Sequence, residues 1–225
     1  MIGVKYKMKY QNKHWDYQKT ENDCWLCALK NTLLAIDYKI TTEKTLQIIK
    51  DKKLELYDNR AFFPYIAVIL DELHINCKFV LDINNKLLES IFDFENNVFS
   101  CEKLDEIISE KYKNKDFCYY YYIALKYILS SSYVNIMINE PRPIYYLDKG
   151  AVIVACLYAS DLYNSDIEQV LHTVTVLKKN GQIQIIDPYY KLGLNNEKNW
   201  GKYQHESFKF DWSIKIPYYI AIENN

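Results

Sequence analysis

The apolar residues of this chain change their spacing once, and that change limits the folds open to it. In the first half they recur at helical intervals. Leu26, Leu29, Leu33 and Ile36 are three, four and three residues apart, which makes one apolar stripe on a helix over residues 24–36. Asp23 stands before it as an N-cap. Thr41 or Thr42 caps a second helix that runs to about residue 52. Residues 62–73 predict a third, with Pro64 in its first turn, where a missing N–H costs little. Residues 74–81 read as a short strand, and helical patterns return over 84–94, 100–112 and 116–130.

In the second half the pattern turns to strands. Residues 133–138 alternate loosely, and Pro141-Arg142-Pro143 then breaks regular structure. Residues 151–158 are a continuous run rich in β-branched side chains, as in a strand covered on both faces. Residues 172–178 and 182–187 flank Lys179-Asn180-Gly181, a hairpin signal. Residues 208–214 and 218–222 predict two more strands. Helices followed by an antiparallel sheet make an α+β pattern. No repeat, low-complexity tail or linker divides it.

Composition narrows the function more than the fold. At 225 residues the chain can bury one substantial core or two fused lobes. A net charge of −1 implies no general attraction to nucleic acid or to an anionic membrane. The 22 tyrosines include the run Tyr119-Tyr120-Tyr121-Tyr122. They would suit an aromatic platform for a sugar, peptide or base. The abundance of Lys, Asn and Ile beside scarce Gly, Pro and Arg favours codon bias as their origin. No apolar run approaches the roughly 20 residues that span a bilayer. The N-terminus carries no secretory pattern, so the expected location is the cytoplasm, or outside by a route without a cleaved signal. Six cysteines, at 24, 27, 77, 101, 118 and 156, sit mostly in apolar contexts and predict no disulfide framework.

The chemistry gathers in three places. Gln18-Lys19-Thr20-Glu21-Asn22-Asp23-Cys24-Trp25 sets a glutamine six residues before a cysteine that opens a helix. His172 starts one arm of the hairpin, and Asp187-Pro188 ends the other. Pairing across the turn puts His172 and Asp187 on adjacent strands at the same end. A thiol nucleophile needs a base, the base an orienting group, and the oxyanion a donor. Cys24, His172, Asp187 and Gln18 can fill these roles, the last with the Cys24 N–H. The helix N-terminus would help to lower the thiol pKa.

Each residue also has a plainer reading. Cys24 could be a core cysteine, His172 a structural strand histidine, and Asp187-Pro188 a simple turn. Cys24-Trp25-Leu26-Cys27 is a C-x-x-C, but it lacks the second half of a zinc site and the preceding strand of a redox pair, so Cys27 reads as core filler. His14, His74 and His205 have no acid at strand-pair distance, and Asp211 is a fallback orienting acid. Trp25 would pack between lobes or wall the site. Tyr189-Tyr190-Lys191 would border the cleft or form a surface loop. The constellation calls for no cofactor and no metal.

Together these residues resemble the papain-like cysteine peptidase superfamily, and within it the branch that includes the bacteriocin leader peptidases. The matching elements are Gln18, Asp23-Cys24, the apolar helix that follows, Gly150-Ala151-Val152-Ile153-Val154, His172 and Asp187-Pro188. Trp25 and Leu171 stand where members often have glycine, and residues 60–139 align with nothing in the pattern. The resemblance implies a single papain-like domain over 1–225, with a helical lobe about 15–130 packing its nucleophile helix on a C-terminal antiparallel β-sheet, about 131–225. It implies a cysteine hydrolase that cleaves an amide through a thioester at Cys24. Acyltransferases of the butirosin-biosynthesis type, effector proteases and glutamine deamidases share the triad, and a non-catalytic protein can keep the fold. The implied partners are peptide, protein or acyl-carrier substrates.

Overall fold

The computed structural model describes residues 15–17, 19–20, 22–56, 58–81, 91–93, 98–111, 117–138, 143–158, 171–189 and 218–223. Three helices come first: α1 (Cys24–Ala35), α2 (Thr42–Asp51) and α3 (Phe63–Glu72). The strand β1 (Cys77–Leu81), the short pair β2 (Phe92–Asp93) and β3 (Val98–Phe99), and the helices α4 (Cys101–Lys111) and α5 (Phe117–Leu129) follow. The chain continues through β4 (Val134–Ile138), α6 (Pro143–Asp148), β5 (Val152–Tyr158), β6 (Leu171–Lys179), β7 (Gln182–Ile186) and β8 (Tyr218–Ile222).

α1 is buried more widely than a single stripe. Trp25 to Leu29, Asn31 to Leu33, and Ala35 avoid solvent, except that Lys30 is half-buried. The helix lies against β5 and β6 on one side and α3 on the other. The Thr41 hydroxyl caps α2 by accepting from the Lys44 N–H at 3.2 Å. Pro64 sits in the first turn of α3.

Six strands form one sheet in the order β4-β1-β8-β5-β6-β7. β1 and β4 pair in parallel and every other pair is antiparallel. The expected sheet was antiparallel and drawn from the second half. Instead β1 enters from the first half, beside β8. A parallel neighbour needs a long crossover, and the chain between β1 and β4 contains α4 and α5. β5 is covered on both faces, as its composition predicts: Val152 and Val154 join the core under the helices, and Ile153 and Ala155 join a second cluster with Tyr146 and Leu147 of α6.

Four other expectations are corrected or fall outside view. The end of the helix expected over 84–94 is strand β2, paired with β3. Residues 74–76 are not strand: the His74 and Ile75 N–H groups donate back to the Asp71 and Leu70 carbonyls and close α3. Pro143 opens α6 rather than only breaking structure, as its fixed φ suits a first helical position. The strand expected over 208–214 lies outside the described residues. Among the described residues, no helix is long and apolar enough to cross a membrane.

Candidate active site

Several described residues before α1 are held by hydrogen bonds. The Asp16 N–H donates to Asn31 Oδ1 at 2.6 Å, and Asn31 Nδ2 donates to the Asp16 carbonyl at 2.8 Å. The Asn31 amide thus pairs with the chain as a backbone group would, from a fully buried position on α1. Asn22 Nδ2 donates to Asp58 at 3.0 Å and Arg60 Nε donates to Asn22 at 2.8 Å. The Trp25 indole donates to the Asn59 carbonyl at 3.0 Å. Trp25 is therefore buried against the turn at 58–60 and packs in the core.

Asp23 occupies the N-cap position, but its carboxylate does not cap α1. It accepts from the N–H groups of Lys19 and Thr20, at 3.2 and 3.1 Å. It organises the turn that precedes the helix, and its backbone carbonyl accepts from Leu26 and Cys27, both at 3.1 Å. Cys24 is thus the first helical residue, at the positive end of α1.

The hairpin supplies the other half of the site. Lys179 pairs with Gln182 across a two-residue turn, with Asn180 at φ 51° and Gly181 at φ 79°. Two positive φ values mark a type I′ turn, whose twist suits the hairpin and sets its register. His172 and Asp187 consequently meet at the open end. His172 Nε2 lies 2.7 Å from Asp187 Oδ1. The same oxygen accepts the Tyr189 N–H at 2.7 Å, and the Tyr189 ring stands edge-on to the imidazole at 6.0 Å. Both side chains are buried, His172 at 7% exposure and Asp187 at 9%.

α1 brings Cys24 to this pair. Burial by itself pushes the Cys24 thiol up. The hydrogen bond and charge of His172 oppose it, with the N–H and hydroxyl of Thr173, and the balance falls below the ordinary 9.0. Burial likewise works against the His172 cation, but its bonds to Asp187 and Cys24 and their charges raise it to about 10. With Nε2 held by Asp187, Nδ1 is the ring nitrogen that serves Cys24. A lowered thiol beside a raised imidazole is the arrangement that favours a thiolate–imidazolium pair.

Three of the four expected site residues are thus brought together. Gln18 lies outside the described residues, as do His14, His205, Asp211, Tyr190 and Lys191. Cys27 is buried, and desolvation pushes its thiol up to about 12, which suits core filling rather than reaction. His74 stacks on Tyr133 at 4.8 Å, at the end of α3. Leu171 starts β6 and is exposed. Among the described residues no cluster of three or more His, Cys, Asp or Glu side chains could hold a metal. Thr173 is the residue that the motif reading missed. Its signal was two threonines, 173 and 175, in a strand otherwise apolar between His172 and Lys178. No family model, no curated protein and no solved structure matches this chain.

Proposed function

We propose that this protein is a papain-like cysteine hydrolase that cleaves an amide bond through a thioester at Cys24. The observation that carries the reading is a buried His172 engaged by Asp187 on one nitrogen and by Cys24 through the other. In this reading the Cys24 thiolate attacks the carbonyl carbon, and the carbonyl electron pair moves onto oxygen. The Cys24 N–H at the head of α1 donates to that oxyanion, with Gln18 as the second donor implied by the resemblance. The His172 imidazolium gives its proton to the departing amine, leaving a thioester and a neutral ring. The ring then takes a proton from water, whose oxygen attacks the thioester. Collapse expels the thiolate, releases the acid and restores the ion pair. Asp187 keeps the ring oriented and favours its cationic form.

The test is site-resolved labelling with substoichiometric iodoacetamide from about pH 4 to pH 9, by intact mass and peptide mapping. Cys24 is expected to react first, well below the pH of an ordinary thiol. His172→Ala leaves burial unopposed by the imidazole, so labelling at neutral pH falls at least about tenfold, one pKa unit. Equal labelling of all accessible cysteines, or a His172→Ala profile identical to wild type, would overturn the reading.

A further inference from the structure

Thr173 and Thr175 lie two apart on β6 and therefore share a face. That face meets α1. Thr175 Oγ1 donates to the Ala28 carbonyl at 2.8 Å and lies 2.9 Å from Thr32 Oγ1, and both threonines are fully buried. This three-point contact sets the helix along the strand. Ala28 is one turn beyond Cys24, about 6 Å along the helix. Thr173 is two residues before Thr175, roughly 6.6 Å along the strand. The two advances nearly match, so seating Ala28 on Thr175 brings Cys24 onto Thr173. The ladder to β7 ends at Thr175, paired with Ile186. One step beyond it on the same face, Thr173 stands beside Cys24, where its N–H and hydroxyl favour the charged form of the thiol.

We propose that Thr173 is a further catalytic residue, whose hydroxyl donates to the Cys24 sulfur and, together with the imidazole, holds it as a thiolate. The proposal rests on the reading of Cys24 as nucleophile. A neutral hydroxyl favours every state in which the sulfur carries charge. Those states are the resting ion pair and the thiolate expelled when water cleaves the thioester. It has less to bind while the sulfur is acylated. It therefore raises the thiolate population before attack and assists its departure afterwards. Thr175, with Thr32 and Ala28, acts as a positioning residue that keeps the contact in register.

The experiment is the pH profile of Cys24 alkylation by iodoacetamide in the full chain. It compares wild type with Thr173→Val, Thr173→Ser and His172→Ala. Valine keeps the shape and strand preference of threonine and removes only the hydroxyl. Thr173→Val is expected to slow labelling at pH 6 by about tenfold, the effect of one unit on a thiol pKa. Thr173→Ser, which keeps the hydroxyl, should stay close to wild type. If valine prevents folding, Thr173→Ala carries the same expectation. A Thr173→Val profile equal to wild type beside a slowed His172→Ala would overturn this proposal alone. So would a Thr173→Ser profile as slow as that of valine, which would assign the effect to packing. An unchanged His172→Ala profile would overturn the ion-pair reading, and this proposal with it.

Discussion

Burial alone would make Cys24 as inert as Cys27, which stands one helical turn away in the same helix and is pushed up to about 12. The two thiols differ in what faces them. Cys27 meets core side chains and nearby acids, whereas Cys24 meets the imidazole of His172 and the N–H and hydroxyl of Thr173. In the proposed mechanism the ion pair would persist from the lowered thiol pKa up to the point where the imidazolium loses its proton, about 10. Asp187 contributes most to holding that proton on the ring. In Asp187→Asn the charge is gone while burial still works against the cation. The His172 titration, followed by ring nitrogen NMR, is therefore expected to fall by at least about one unit, the usual effect of an opposite charge at contact. A titration left near 10 would assign the raised value to Cys24 instead. The pairing of His172 with Asp187 was legible in the sequence, because a two-residue turn sets which residues meet at the open end of a hairpin. The Thr173 contact was not, because it depends on where a helix from the other end of the chain lands.

Four helices share one way of ending. After α1, Tyr38 N–H donates to the Leu33 carbonyl and Asp37 N–H to that of Leu34, with Asp37 at φ 61°. The same 6→1 and 5→2 pattern closes α2 through Lys53 and Leu54, and α3 through His74 and Ile75. It closes α6 through Gly150 and Ala151. This is the Schellman motif, with an apolar residue just past the left-handed position. Glycine fills that position only after α6. Asp37, Lys53 and His74 adopt a left-handed conformation that costs a side-chain-bearing residue roughly 1–2 kcal/mol. Lys53→Gly is expected to raise stability by about 0.5–1 kcal/mol, after the greater entropy of glycine in the unfolded chain is subtracted. Urea unfolding measures it, and a loss of stability would mean that the Lys53 side chain holds more than the turn needs. At this scale the sequence announced that helices exist, through apolar spacing and the Thr41 cap. It hid three of their ends, because glycine is the usual signal and is missing there.

The sheet is held together at its middle by β8. Tyr218–Ile222 pairs with β5 on one side and with β1 on the other. Without it, β1 and β4 would part from β5, β6 and β7, and two sheet edges now buried would be unpaired. A chain stopped after residue 217 is therefore expected to lose its cooperative urea transition and its near-ultraviolet circular dichroism. A soluble product with the native transition would show that the two halves fold without the central strand. By itself, the sequence determined the α+β class, the helix and strand segments over most of the described residues, the strand buried on both faces, and the His172–Asp187 hairpin. These follow from interactions between near neighbours in the chain, which leave a periodic trace. Tertiary structure alone decided the parallel pairing of β1 with β4, the central place of β8, and the landing of α1 on β6 that gives Cys24 its partners. Every strand edge offers the same N–H and C=O groups, so local pattern cannot say which edges join. That choice falls to the packing of the whole core.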